Sequence, residues 1–257
     1  MDYGRFVIEF HRMSGLDLSL YKESQMKRRI DSHIKKYAVK TYDDFLRLVK
    51  ENPATMETFM SYVTINVSEF FRDPKQWSTL ESDILPKIIQ PNKTFNVWSA
   101  ACSTGDEPYT LSIILNKLIP SGKFKIIATD LDKEILAKAK KGEYPEKQLL
   151  HLPSEYKNRH FTKEKDVYVI KSEIKKNIEF RQHNLLKDPY LSGMDLIVCR
   201  NVLIYFTEDA KHGIYGKFAK SLSETGILFV GSTEQIITPS QYGLKSQKMF
   251  FYSKPTL

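Results

Sequence analysis

The sequence predicts an α/β protein: a doubly wound, mostly parallel sheet with helices on both faces, a small inserted β-subdomain, and a small all-α domain in front. Three observations lead there. From Thr94 onward, short β-rich runs alternate with helical stretches, which implies a parallel sheet covered on both faces. Residues 1–63 show only helical periodicity. At 257 residues and 41% hydrophobic, the chain is long enough for one full-sized domain and a small second one.

The elements follow in order. Tyr3–Ser14 places Phe6, Val7, Phe10 and Met13 at helical spacing. Tyr21–Ala38 reads as a second helix and Thr41–Lys50 as a third, N-capped by Thr41. Glu51-Asn52-Pro53 stops that helix, and Pro53–Val63 begins another. The expected division is therefore a helical domain, 1–63, and an α/β domain, 64–257. Strands are expected at Phe95–Ser99, Phe124–Thr129, Ile178–His183, Met194–Cys199 and Gly226–Gly231, with helices at Glu107–Leu118, Lys133–Lys141 and Glu208–Ser221. Within Leu244–Lys254, Met249-Phe250-Phe251-Tyr252 reads as a last strand. Two β-like runs around Lys171-Ser172-Glu173 predict a small hairpin inserted at about residues 157–181.

Composition narrows the function classes. Met1–Arg12 already carries Asp2, Arg5, Glu9 and Arg12, so it is not a secretory leader, and no uncharged apolar run approaches membrane-spanning length. A cytoplasmic protein with no direct membrane insertion is expected. Cys102 and Cys199 are too few for a disulfide framework and lack the local pairing of a zinc site, so no metal is expected. The net charge of +8 favours an anionic partner without choosing one.

Open α/β sheets bind ligands beyond the carboxyl ends of their strands. The loop after the first strand, Ser99-Ala100-Ala101-Cys102-Ser103-Thr104-Gly105-Asp106-Glu107, has one glycine and fails the dinucleotide fingerprint. Asp106 and Glu107 at the following helix N-terminus repel a pyrophosphate and suit a ligand with a cationic group, such as the α-ammonium of S-adenosylmethionine. Asp130 at the tip of the second strand suits the two hydroxyls of a ribose; the other reading is that it N-caps the next helix, which Asp132 can do as well. Asn184 and Leu185 after the third expected strand suit an adenine edge and face, and Arg200-Asn201 follow the fourth.

Three motifs resemble the signatures of the chemotaxis receptor methyltransferases, the CheR family. They are Thr64-Ile65-Asn66-Val67-Ser68-Glu69-Phe70-Phe71-Arg72, Trp98–Tyr109 and Cys199-Arg200-Asn201-Val202-Leu203-Ile204-Tyr205-Phe206. The resemblance spans nearly the whole chain. It implies a class I S-adenosylmethionine-dependent methyltransferase domain, Rossmann-like, behind a helical receptor-docking module. It also implies methyl transfer to glutamate side chains of receptors, with S-adenosylhomocysteine as the other product. By the resemblance, Asn66, Ser68, Arg72, Glu107, Asp130, Asn184, Leu185, Arg200 and Asn201 contact the cofactor, while Arg72 and Tyr205 approach the reacting methyl group. The loop has Gly105-Asp106-Glu107-Pro108 where Gly-Glu-Glu-Pro is common in the family, which keeps the charge. Some members grip a receptor tail peptide with the β-subdomain; nothing in this sequence reveals that ability.

Methyl transfer to an ionised carboxylate needs no general base, and no His–acid pair is evident. Arg72 either pairs with the cofactor carboxylate or orients the incoming glutamate, and Tyr205 donates to one glutamate oxygen. On a helix with about 100° per residue, Met26, Ile30, Ile34 and Tyr37 form a stripe roughly 80° wide. Lys22, Arg28, Arg29, Lys35 and Lys36, with His33, fill an arc of about 160° elsewhere. This face reads either as solvated charge or as the docking surface for glutamate-rich receptor methylation helices, in which case reversing Arg29 and Lys36 raises the KM for receptor. A nucleic-acid methyltransferase is the rival reading. Residues 200–205 contain no proline, unlike the Asn/Asp-Pro-Pro-aromatic loop of base-amine methyltransferases, and the basic helix lacks interleaved aromatics. A module that senses the cofactor without turnover is the other alternative. No dimer seam is evident, so a monomer is expected.

Overall fold

The computed structural model describes residues 1–120 and 122–255. It forms two compact units: a helical unit of Met1–Asn66 with Val202–Gly213, and a sheet unit of Val67–Asn201 with the chain from Ile214 onward.

The helical unit holds α1 (Tyr3–Ser14), α2 (Glu23–Ile34), α3 (Tyr42–Glu51) and α4 (Pro53–Val63). Each start has a local cause. Asp2, Thr41 and Asn52 accept amide bonds at the N-termini of α1, α3 and α4, and Pro53 occupies the first turn of α4, where its missing N–H costs nothing. Phe6, Phe10, Phe45 and Phe59 are completely buried, and the rings of Phe45 and Phe59 meet edge-on at 4.9 Å. The helix expected over Tyr21–Ala38 is shorter, because Lys36 and Tyr37 donate to the carbonyls of His33 and Ile34 in tightened turns.

Val202–Gly213 joins this unit through its backbone. Tyr21 and Phe206 form an antiparallel bridge, Lys22 N–H donates to the Tyr205 carbonyl at 2.8 Å, and Thr207 N–H donates to the Leu20 carbonyl at 2.9 Å. The helical unit thus draws on segments far apart in sequence, joined by this pairing.

The sheet unit begins with α5 (Pro74–Thr79), a π-helical turn at Leu80–Ile84 and α6 (Leu85–Ile88), none of which the sequence reading assigned. Then come β1 (Phe95–Ala100), α7 (Asp106–Leu118), β2 (Phe124–Asp130), α8 (Lys133–Lys141), β3 (Glu143–Pro145), α9 (Ser154–His160), β4 (Phe161–Glu164), β5 (Val167–Ile170), α10 (Ser172–Lys175), β6 (Ile178–Gln182) and β7 (Met194–Cys199). After α11 (Glu208–Ser221), whose C-terminal half belongs to this unit, β8 (Leu222–Val230), β9 (Lys245–Lys248) and β10 (Phe251–Ser253) complete it. Seven strands run in the order β6-β2-β1-β7-β8-β10-β9, parallel through β8 and then antiparallel. The central strands are apolar because helices cover both faces: every residue of β7 is buried. Asp195 within it is satisfied by Lys93 Nζ, the Asn96 amide and Ser223 Oγ, each at 2.9 Å.

The inserted subdomain is a three-stranded sheet, β3-β5-β4. Its hairpin turns at Lys165-Asp166, with Lys165 at φ 53°, and not at Lys171–Glu173, where the chain makes the helical turn α10. Ile178–Gln182 belongs to the main sheet, paired with β2. The expected last strand is likewise a hairpin, β9-β10, with Met249-Phe250 at its turn and Phe250 at φ 71°. A turn made of large apolar residues carries none of the usual turn chemistry, so periodicity alone reads through it.

Candidate active site

The chain leaves β1 for β2 on one side of the sheet and later enters β7 on the other, so the loop after β1 lies at the topological switch point. Ala101, Ser103 and Gly105 all have positive φ (62°, 50° and 91°), which folds the loop tightly into the start of α7. Gly105 is needed for packing: a Cβ there would lie 3.0 Å from Ala139 Cβ, 3.1 Å from the Tyr109 ring and 3.2 Å from Tyr144 Oη.

Three carboxylates converge on this loop. Glu107 Oε1 accepts from Ser99 Oγ at 2.7 Å. Burial pushes the Glu107 carboxyl up to about 7, against the pull of Arg200 and the Ser99 hydrogen bond, while Glu234 and Asp106 push it further up. Asp106 is completely buried; Thr104 Oγ1 donates to its Oδ2 at 2.5 Å, Ser68 lies close enough to favour the anion, and burial still raises it to about 6. Asp130 accepts from the Ser103 amide at 2.8 Å and the Asp132 amide at 3.1 Å, and burial raises it as well. The cap of α8 is Asp132, which accepts from the amides of Glu134 and Ile135. Asp130 is thus not the helix cap.

The other strand ends complete the site. Asn184 Oδ1 accepts from the Leu186 amide at 2.9 Å, and the Asn184 amide donates to Asp188 at 2.8 Å, which fixes the loop after β6. Leu185 is buried, and its carbonyl accepts from Tyr190 Oη. His183 N–H donates to the Asp130 carbonyl at 2.9 Å, which brings this loop beside the tip of β2. Arg200 is buried, with one nitrogen donating to the Arg72 carbonyl at 2.9 Å and to Asp73 and Gln76 at 3.0 Å each, and its guanidinium lies over the rings of Trp77 and Phe229. Burial lowers its pKa, while Glu107, Asp73 and Glu234 favour its charge. Asn201 has φ 61° and donates its amide to Glu234 Oε2 at 2.6 Å.

The sheet unit therefore contains Ser68, Arg72, Glu107, Asp130, Asn184, Leu185, Arg200 and Asn201, while Asn66 and Tyr205 belong to the helical unit. Asn66 Nδ2 donates to Thr64 Oγ1 at 3.1 Å and to the Ser61 carbonyl. On α2 Arg28 is exposed; at its ends and just beyond, Lys35 and Lys36 are exposed and Lys22 is partly exposed. Arg29 is committed to Tyr62, donating to its carbonyl at 2.5 Å with the guanidinium 4.6 Å from the ring centroid. His33 does not belong to the cationic arc: it is buried among Phe45, Phe59 and Tyr62, and burial lowers its pKa. The arc's edge adjoins the apolar stripe, and the core takes the one side chain there that is able to be neutral.

Sequence reasoning missed Ser99, Asp73, Gln76 and Glu234. Glu234 had a readable signal, an acid three residues beyond the strand-ending Gly231. Asp73 and Gln76 became visible only through their long-range contacts with Arg200, and Ser99 through the turn that brings it to Glu107.

Chemically, the arrangement suits a ligand carrying both cationic and hydroxyl groups. Burial raises Asp106 to about 6 and Glu107 to about 7, so a cation would recover their charged form. Polar atoms with no protein partner remain buried there: Ser103 Oγ, Asp106 Oδ1 and Arg200 Nε. Among the described residues, no group of three or more His, Cys, Asp or Glu side chains is placed to hold a metal ion, and no helix is long and apolar enough to cross a membrane.

Comparison with known proteins agrees with this geometry. Residues 66–250 match the family of the CheR methyltransferase SAM-binding domain, and residues 1–64 match the CheR methyltransferase all-alpha domain. A chemotaxis protein methyltransferase of Listeria monocytogenes is 45% identical over 254 residues, covering 98% of this chain and 97% of that protein. A second, from Listeria innocua, has the same identity and coverage. One from Borreliella burgdorferi is 30% identical over 236 residues, covering 86% of this chain and 83% of that protein. The chain belongs to the CheR methyltransferase family, and its cofactor is S-adenosylmethionine.

Proposed function

We propose that this enzyme transfers the methyl group of S-adenosylmethionine to glutamate side chains of chemotaxis receptors, forming methyl esters and S-adenosylhomocysteine. Its curated relatives carry the name chemotaxis protein methyltransferase over nearly their full length. The observation that most favours this reading is the family match over both domains, residues 1–64 and 66–250. Of the sheet unit's histidines, His183 is buried against Trp98 and Tyr190, His160 pairs with Glu173 and His151 pairs with Glu69. An acceptor that is already ionised needs no proton removed.

When bound, the cofactor supplies a methyl group activated by its sulfonium. Glu107 would hold the α-ammonium and Asp130 the ribose hydroxyls, while Asn184 and Leu185 would take the adenine. Asn66, Ser68, Arg200 and Asn201 would complete the cradle. Arg72 and Tyr205 would orient the acceptor for in-line attack and displace its water, which are proximity and desolvation effects. We place the protein in the cytoplasm as a monomer, meeting its receptors through α2.

Docking through α2 has a specific test. Because Arg29 packs on Tyr62 and Lys36 Nζ lies 5.0 Å from the centroid of that ring, charge reversal at those positions would also disturb the fold. Arg28→Glu with Lys35→Glu, both at exposed positions, is expected to raise the KM for receptor by roughly 10-fold at low salt. S-adenosylhomocysteine affinity should be unchanged. Receptor kinetics equal to wild type at low salt would remove α2 from docking.

The function itself is tested with tritiated S-adenosylmethionine and receptor-bearing membranes, followed by peptide mapping. Base-labile label on receptor glutamates is expected. Alkali-stable label, or label on nucleic acid, would overturn the proposal.

A further inference from the structure

We infer that Glu234 is a positioning residue for cofactor binding: its carboxylate clamps the exits of β7 and β8 together and supplies the negative charge against which Glu107 and Arg200 are balanced. The inference rests on the assignment of Glu107 to the cofactor, and extends it to a residue that neither the motifs nor the family match singles out.

The clamp is geometric. β7 and β8 run parallel, and their last registered pair is Cys199 with Val230. Beyond that rung the ladder ends, and the next amides need another acceptor. A single oxygen provides it: Glu234 Oε2 accepts from the Asn201 amide at 2.6 Å and the Gly231 amide at 3.0 Å. The Glu234 amide donates back to the Gly231 carbonyl at 3.0 Å, closing the turn, and Tyr215 Oη donates to the Glu234 carbonyl at 3.2 Å. The fit leaves no room. A Cβ on Gly231 would lie 2.4 Å from Glu234 Oε2 and 3.0 Å from the Asn201 nitrogen.

The clamp holds a conformation that local sequence does not favour. Asn201 has φ 61°, a left-handed geometry tolerated by asparagine and stabilised here by the charged acceptor on its amide. Arg200, immediately before it, spans to Asp73, Gln76 and the Arg72 carbonyl. Fixing Asn201 therefore fixes the base of Arg200, and through it the loop that carries Arg72.

Glu234 is also 4% exposed, so its charge acts through little water. It favours the cationic form of Arg200 and disfavours the anionic form of Glu107. The other groups acting on Glu107 are Asp106, Arg200 and the Ser99 hydroxyl. Asp106 opposes its ionisation as Glu234 does, but Asp106 adjoins Glu107 in the chain, whereas Glu234 reaches it from the exit of β8.

Two variants separate clamp from charge. Glu234→Gln keeps an oxygen for both amides and removes the charge. S-adenosylhomocysteine affinity at pH 8 should stay within about threefold of wild type, while the pH midpoint of binding shifts to lower pH because Glu107 ionises more readily. Glu234→Ala removes the acceptor and is expected to weaken binding about 10-fold at every pH, with partial rescue in Glu234→Gln. Calorimetric titration of the full chain from pH 6 to 8.5 reads both effects. A purely structural residue would lower Tm in both variants and leave the pH midpoint in place. An unmoved midpoint in Glu234→Gln, or wild-type affinity in Glu234→Ala, overturns the inference. If Glu234→Ala does not fold, the midpoint in Glu234→Gln decides alone. No receptor enters the measurement, so its outcome is independent of the proposed substrate.

Discussion

Glu107→Ala is expected to weaken S-adenosylhomocysteine binding by roughly 10- to 100-fold at pH 8, the scale of one charge-assisted hydrogen bond lost from a buried site. The physical reason is the position of Glu107: first turn of α7, carboxylate oriented by Ser99 Oγ, pKa pushed up to about 7 by burial. A bound ammonium would favour the carboxylate over the acid, so binding releases a proton. Wild-type affinity should therefore strengthen as pH rises from 6 to 8 and then level off, and Glu107→Gln should flatten that profile. Calorimetry in buffers of different ionisation heat would register the released proton directly.

The same group has a stability signature of opposite sign. Its folded-state pKa lies above the unfolded value, so in the free protein the folded state holds more protons between roughly pH 4.5 and 7. Its contribution to stability is fully present below that window and is lost as pH rises through about 7. Saturating S-adenosylhomocysteine should offset the loss. Thermal melts with and without ligand across pH 5–8 should diverge toward the alkaline side, and parallel curves would show that Glu107 does not meet the cofactor's cation.

Arg72→Ala and Tyr205→Phe are each expected to keep the fold and reduce kcat by about 100-fold or more, the usual cost of removing a group that contacts the reacting centre. The structure makes these variants clean. The structural work of Arg72 is done by its carbonyl, which accepts from Trp77 Nε1 at 2.8 Å and from Arg200 at 2.9 Å. Tyr205 likewise acts through its carbonyl, which accepts from the Lys22 amide at 2.8 Å. Both bonds survive loss of the side-chain polar groups. Tm should remain within a few degrees of wild type while tritium transfer to receptor falls; turnover at the wild-type rate would take either residue out of the reaction. If Arg72 pairs with the cofactor carboxylate, Arg72→Ala also weakens S-adenosylhomocysteine binding. If it orients the glutamate, only receptor kinetics change.

The link between Lys22 and Tyr205 bears on docking. Lys22 opens α2, and its amide is tied to the tyrosine, with Tyr21 and Phe206 packed edge-on at 4.9 Å beside it. The residue proposed to orient the acceptor is therefore anchored to the helix proposed to bring it. Nothing in the spacing of Lys22 and Tyr205 suggests this.

The sequence alone determined the alternation of strands and helices from Thr94, the acid-bearing loop after β1, and the strand tips at Asp130, Asn184 and Arg200. Each is a local pattern, read from periodicity or from the residue next to a strand end. The family motifs lie in contiguous runs and were legible for the same reason. Tertiary structure alone decided that Asp132, not Asp130, caps α8, that His33 leaves the cationic face for the core while Arg29 is tied to Tyr62, and that Val202–Gly213 packs with the N-terminal helices. It also decided that one buried oxygen of Glu234 joins two strand exits. These are choices between locally equivalent polar groups, made by burial and by the partners that folding brings near, and a linear pattern carries no record of which partner arrives.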